Sequence, residues 1–364
     1  MAASVTAAAC RRNSEPILIG IAGSLTDPVG APMLRGAELA TEEINAHGGI
    51  GGRPIELVAR DDFADPDSAV FVASDLYKAG VVAVVGHLWS ATTLAAAPVY
   101  NGGDNPVVAI SPSSSSPDVS AAGPYTFRLC PSDLAYGAAL ARWARDRLGF
   151  ERGAVLYLDD DYGRGVRRTF VRDFTRMKGE AVSIDPYLGD RPDVGVYLDR
   201  VAKMGRAQFL LVAGNESEAE EVLRQSAKRK LTLPVLGGDG LEGIEAAGAL
   251  AEGVYVSQAY LPSLPNPANR SFVAAYQHKF PKDGLPNQPA AATYDAIYLL
   301  RDAIWRAGTS RAAIRAAVAA IGTTAPPFNG VTGRIAFDSL GDVPDAAVHL
   351  AVVRHGAMLL AEGR

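Results

Sequence analysis

The chain has 364 residues, 48% of them hydrophobic and 21% charged, with a formal net charge of −5. That length suits two domains better than one small core, and the composition is globular rather than disordered. There is no basic block, which argues against nucleic acid as a partner, and no apolar run approaches the ~20 residues of a membrane span.

Residues 1–14 read as a tail. Ala7-Ala8-Ala9 before Cys10 is the small-residue pattern that precedes a lipidated cysteine, yet neither a basic start nor an apolar stretch stands before it. A lipid anchor at Cys10 and a plain N-terminal tail both stay open. From Pro16 onward, short apolar runs alternate with amphipathic ones. Strands are expected at 17–21, 55–60, 81–85 and 107–110, with helices at 34–46, 67–79 and 91–100 between them. Continuous apolar strands alternating with helices indicate a parallel sheet covered on both faces.

The pattern pauses over 124–132, where Cys130 reads as a small buried thiol, and then restarts. Helices are expected at 134–148, 166–178, 194–204 and 217–228. Strands are expected at 153–158, 181–187, 208–213, 234–236 and 254–257. Three helices follow, at 267–280, 290–307 and 312–320, and the end is β-like at 333–337, 348–353 and 357–360. Pauses near 130, 257 and 339 predict three crossings between two doubly wound units: 15–131 with 258–338, and 132–257 with 339–364.

Open parallel sheets bind ligands outside the carboxyl ends of their strands, where the strand order reverses. The segments after the strands therefore collect the candidate site. In the first half they hold Ser24 and Thr26, Asp61-Asp62, His87 to Ser90, and the run Ser113-Ser114-Ser115-Ser116. In the second they hold Asp159 to Gly163, Gly214-Asn215-Glu216, and Gly237-Gly238-Asp239-Gly240. Ser90 and the serine run each precede a helical stretch, where a serine is a natural N-cap and free backbone N–H groups face an incoming anion. By composition alone the serine run could equally be a flexible linker. Ser90 could be a cap only, Asp239 a turn residue, Tyr162 a surface helix start and Trp89 a core residue.

Enzymatic readings find less support. The five histidines are scattered, and neither H-E-x-x-H nor G-x-S-x-G occurs. The phosphate-binding G-x-x-x-x-G-K-[ST] is absent and Gly20-Ile21-Ala22-Gly23 is not G-x-G-x-x-G, so no cofactor is indicated. Asp61 and Asp62 are adjacent strand residues facing opposite ways, which reads as one turn residue and one cap.

Several segments together carry a family likeness. They are Arg35-Gly36-Ala37-Glu38-Leu39-Ala40, Ile44-Asn45 leading to Gly48-Gly49-Ile50-Gly51-Gly52-Arg53-Pro54-Ile55, and Asp61-Asp62 with Asp65-Pro66. Further on come Gly86-His87-Leu88, Phe127-Arg128, Asp161-Tyr162-Gly163-Arg164-Gly165, and Phe328 to Gly333 before Phe337-Asp338. In this order, over about residues 15–360, the chain resembles the periplasmic leucine/isoleucine/valine-binding proteins, the type I solute receptors of branched-chain amino-acid ABC transporters.

The resemblance implies two Rossmann-like α/β lobes joined by three crossovers, no catalysis and no cofactor. It also implies a monomer outside the cytoplasm that passes an amino acid or a related small carboxylate or amide to a membrane permease. Carried over residue by residue, Ser90 holds the ligand carboxylate, the Ser113 carbonyl takes the ammonium, and Ser115 matches a head-group threonine. Tyr162 closes from the second lobe and Asp239 pairs with the ammonium. Ser114 and Ser116 are expected to cap or to face solvent. Asn215 stands where those relatives have a second tyrosine. The positions of their paired cysteines hold Ala64 and Trp89, so that disulfide is absent and Trp89 faces the ligand side chain. Tyr294 is a further pocket candidate. The same lobes could instead serve as a sensing module for a kinase or chemoreceptor.

Overall fold

The computed structural model describes residues 15–361 except residue 190; Cys10 and the tail lie outside the described residues. The first run contains β1 (Ile17–Gly23), α1 (Ala31–Ala46), β2 (Ile55–Asp61), α2 (Pro66–Lys78), β3 (Ala83–Val85), α3 (Ser90–Asn101), β4 (Val108–Ser111) and β5 (Thr126–Arg128). Its five strands form an all-parallel sheet in the order β2-β1-β3-β4-β5. Local chemistry sets the helix starts. Asp65 accepts from the Ser68 N–H at the head of α2, with Pro66 in the first turn, where its missing donor costs nothing.

The chain then builds α4 (Asp133–Arg142), β6 (Arg152–Leu158), α5 (Asp161–Arg176), β7 (Glu180–Tyr187), α6 (Gly195–Met204), β8 (Phe209–Ala213), α7 (Glu216–Lys228), β9 (Val235–Gly237) and β10 (Tyr255–Gln258). It returns to the first sheet with α8 (Pro267–Lys279), α9 (Gln288–Ala307) and α10 (Arg311–Ala319); α9 packs on α1 and β3, and α10 on β4. Gly36 permits that packing, because a Cβ there would lie 2.2 Å from the Ala290 carbonyl oxygen. A small ribbon follows, β11 (Phe328–Asn329) with β12 (Arg334–Ile335). Finally β13 (His349–Arg354) and β14 (Ala357–Leu360) complete a seven-stranded sheet, ordered β14-β13-β10-β9-β8-β6-β7, in which β13 and β14 run antiparallel to their neighbours.

The inner strands of both sheets are buried on both faces, which is why they read as unbroken apolar runs, while the edge strands β2, β7 and β14 stay partly exposed. In β8, Phe209 and Leu211 meet Leu140, Phe170 and Phe174 of α4 and α5. Leu210 and Val212 on the opposite face meet Leu198 and Val222 of α6 and α7. In the first sheet, Ile19, Ile21, Val85 and Ile110 face α1 and α9, while Val84 and Ala109 face α2 and α3. Each valine, leucine, isoleucine or phenylalanine among these contributes about 1.5–3 kcal/mol on burial.

Two expectations are corrected. The helix expected over 134–148 is α-helical only to Arg142; the next turn widens, and the Leu148 N–H reaches the Trp143 carbonyl. The strand expected over 333–337 reduces to Arg334–Ile335, paired across a tight turn with Phe328–Asn329 rather than joined to either large sheet. In each sheet the order reverses once on either side of an inner strand, at β1/β3 and at β6/β8, and the loops leaving these strands face each other.

Candidate ligand-binding cleft

A cavity of about 360 Å³ lies between the two sheets' carboxyl edges. From the first sheet it takes Asp27, Pro28 and Val29 after β1, Ala64 after β2, Leu88 to Ala91 after β3, and Ser113 after β4. From the second it takes Asp160 and Tyr162 after β6, Asn215 to Glu218 after β8, and Asp239, Gly240 and Glu242 after β9. Of the residues expected at the site, Trp89, Ser90, Ser113, Tyr162, Asn215 and Asp239 are brought together here. Ser115 and Tyr294 are not.

On the first wall, α3 begins at Ser90, so its first-turn N–H groups point into the cavity. Ser90 does not cap this helix. Its Oγ accepts from the Ser116 N–H at 3.2 Å and so ties the serine run to the head of α3. Trp89 donates its indole N–H to Ser24 Oγ at 2.9 Å, which fixes the ring beside Leu88 and Val29 in the lining.

The serine run is a tightly bonded turn, not a linker. Ser114 is buried and donates to the Leu88 carbonyl at 3.1 Å. Ser116 is also buried and accepts from the Asp118 N–H at the head of a short 3₁₀ helix over Pro117–Ala121. Neither faces solvent, so only the capping half of that expectation stands, and for Ser116 alone. Ser113 is the member of the run that lines the cavity. Ser115 lies behind it, 1% exposed, with its carbonyl accepting from the Asp133 N–H at the start of α4. The alternation that would place Ser113 and Ser115 side by side belongs to an extended strand, and this segment turns.

Tyr294 sits on the face of α9 turned to α1. Its hydroxyl donates to Glu43 at 2.6 Å and its ring lies 4.7 Å from that of Phe272, so it supports the helix pair. Asp61 and Asp62 depart from expectation as well. Both serve turns, Asp61 accepting from the Phe63 N–H and Asp62 from the Ala64 N–H, and the α2 cap is Asp65, so neither caps a helix. Asp62 is fully buried against His87 Nδ1 at 2.5 Å, with the other His87 nitrogen 3.0 Å from the Tyr100 hydroxyl. This chain of groups holds the loop leading to Ser90; the His87 carbonyl accepts from Ser111 at 2.7 Å.

On the second wall, the Tyr162 hydroxyl donates to Asp239 at 3.0 Å and accepts from the Gly240 N–H at 2.8 Å. Burial pushes the Asp239 carboxyl up to about 7 against the opposing pull of that hydrogen bond. Asn215 sits at the N-cap of α7, its N–H held by Glu218 at 2.8 Å.

Sequence reasoning missed Glu218 and Glu242 as lining residues. The acidic first turn of α7 was a usable signal for Glu218. Glu242 had none, because its place depends on the approach of the two walls: its carboxylate accepts from the Gln288 N–H at the head of α9, 2.7 Å away. Burial pushes Glu242 up to about 8. The lining thus holds six carboxylates, Asp27, Asp160, Glu216, Glu218, Asp239 and Glu242, and no lysine, arginine or histidine. No donor set for a metal was found among the described residues.

Two open α/β sheets whose switch-point loops enclose one cavity define a two-lobed receptor for a small solute. The chain matches the family described as periplasmic binding protein over residues 16–357, and it belongs to that family. It is 30% identical over 342 residues to the leucine-, isoleucine-, valine-, threonine- and alanine-binding protein of Pseudomonas aeruginosa, covering 91% of this chain and 88% of that one. Among solved structures, a leucine-binding protein of Thermotoga maritima superimposes with a TM-score of 0.86 at 29% identity, covering 95% and 98% of the two chains. The branched-chain amino-acid substrate-binding protein of Streptococcus pneumoniae in complex with isoleucine gives 0.84 at 25% identity, covering 96% and 99%.

Proposed function

We propose that this chain captures an α-amino acid with an apolar side chain between two lobes, 15–131 with 258–338 and 132–257 with 339–364, and delivers it to the permease of an ABC transporter. The observation that carries this reading is the polarity of the cavity. One wall offers the N–H groups of α3 with Ser90, and the other offers Asp239 held by Tyr162. A buried zwitterion needs both charges answered. The ligand carboxylate goes to the head of α3 and its ammonium to Asp239 and the Ser113 carbonyl, and the side chain lies along Val29, Leu88 and Trp89. The amino-acid ligands named for the relatives support the same assignment.

Closure of the second lobe over a ligand seated on the first brings Tyr162, Asn215 and Asp239 into place and excludes water. No residue here is asked to make or break a covalent bond. No described helix is long and apolar enough to cross a membrane; the permease is proposed as a separate partner met outside the cytoplasm, as the family membership suggests. Isothermal titration with leucine, isoleucine, valine and alanine tests the reading. Micromolar or tighter binding of at least one supports it, and the absence of heat for every α-amino acid refutes it.

A further inference from the structure

The side chain of Arg128 is 1% exposed and stands where the chain first leaves the first sheet, at the end of β5. Its Nη1 donates to the carbonyls of Ser115 and Ser116 at 3.0 and 2.9 Å, with that of Ser114 at 3.4 Å. Its Nη2 donates to Ser120 Oγ at 2.8 Å, and its Nε lies 2.7 Å from Asp342 Oδ1. Asp342 belongs to the segment in which the chain makes its last return to the second sheet, and it also accepts from Ser120 at 2.7 Å. The backbone repeats the link, since the Arg128 N–H donates to the Gly341 carbonyl at 3.0 Å. Gly341 has φ of +77°, and a Cβ there would lie 2.5 Å from the Thr126 carbonyl oxygen, so this return segment is pressed onto β5.

We infer that Arg128 and Asp342 form a positioning pair that couples the ligand-contacting serine turn to the segments on which the lobes swing. A planar guanidinium can engage several acceptors in fixed directions, which a lysine ammonium on a flexible stem cannot. Arg128 uses this to grip the turn by its carbonyls, and it meets the return segment through the ion pair with Asp342 and through Ser120, which bonds to both. The Ser115 carbonyl, shared by Arg128 and the Asp133 N–H of α4, extends the grip to the first element of the second unit. Any rotation that displaces 341–342 or 132–133 relative to β5 must therefore shift or strain the turn that presents Ser113. Ligand on Ser113 in turn favours the arrangement in which these bonds are all made. By reciprocity, a ligand that prefers the closed lobes loses affinity when closure is uncoupled from its own seat.

The inference rests on capture by lobe closure, and one experiment separates the two. Leucine affinity is measured by calorimetry, and compaction at saturating leucine by small-angle scattering, for wild type, Asp342→Asn, Arg128→Lys and Arg311→Lys. Arg311 is a comparable buried arginine remote from the cleft, bonded to the carbonyls of Val81, Asn105 and Tyr77. Asp342→Asn keeps the side chain's shape at a position 17% exposed at the pair's edge, and thermal unfolding of each variant establishes that it is folded. The expected result is about tenfold or greater loss of affinity in Asp342→Asn, with incomplete compaction at saturation. Arg311→Lys is expected to lower Tm only. Full compaction with unchanged affinity in Asp342→Asn overturns the coupling alone. Absence of leucine-dependent compaction in wild type overturns the capture reading, and the coupling with it.

Discussion

Protonation of Asp239 should switch ligand affinity off. The ligand ammonium needs an ionised carboxylate, and burial holds this one near 7 in the empty cleft. If only the ionised form binds, the apparent Kd is about twice its high-pH value at pH 7 and about a hundredfold higher at pH 5, at ~1.4 kcal/mol per pKa unit. The sign follows from the raised pKa: the empty site keeps its proton at low pH, so affinity rises as pH passes upward through 7. Glu242 titrates in the same range, because burial lifts its carboxyl to about 8 against the opposing pull of the Gln288 N–H, and it would add a pH dependence of its own. The assay is therefore calorimetry with leucine from pH 5 to 8.5 on Glu242→Gln, which removes that term, beside the double variant with Asp239→Asn. The single variant should show the hundredfold slope. The double variant should bind weakly and without slope, since a hydrogen bond to a charged group contributes about 1.5–3 kcal/mol. A flat profile in Glu242→Gln, or the same slope in both, would refute the argument.

Ser90→Ala should weaken leucine binding and also lower stability by about 1–3 kcal/mol, because it leaves the buried Ser116 N–H without its acceptor; calorimetry and denaturant titration read the two effects separately. Tyr294→Phe should cost about 1 kcal/mol of stability through the lost bond to Glu43 while leaving leucine affinity unchanged, and a shifted Kd would return this residue to the site. Glutamate and aspartate should give no thermal shift at concentrations that saturate with leucine, since the cavity offers six carboxylates and no basic side chain to a second anionic group.

The architecture was legible because parallel strands buried on both faces must be apolar throughout, and β8 or β4 cannot be read any other way. The edge of the sheet that carries the site was legible for the same reason: once the strands are placed, the loops leaving them are fixed. Within those loops the reading weakened. Ser113 and Ser115 were both carried over from the family likeness, and hydrogen bonds to Ser90, Leu88 and Arg128 curl the segment and turn Ser115 inward. Tyr294 depended on which face of a helix that is buried nearly all round meets the cleft, and its pattern of apolar residues does not say. Glu242 required knowledge of how closely the two units approach, which no local pattern records. His87 looked isolated because its partners Asp62 and Tyr100 lie 25 residues before it and 13 after it.

The uneven distribution of charge between the two walls also bears on how fast the cleft fills. The wall that carries the head of α3 holds one acid, Asp27, while the opposite wall gathers the other five. Under the proposed order of closure, an approaching ammonium-bearing solute is therefore steered by the half of the protein that closes on it last. Such long-range attraction acts on encounter, and it fades once ions crowd within a Debye length of about 8 Å at physiological salt. Association should thus slow as ionic strength rises while dissociation from the closed cleft stays nearly constant. A receptor facing an environment of changing salinity would then have its capture rate, more than its retention time, set by the surrounding salt.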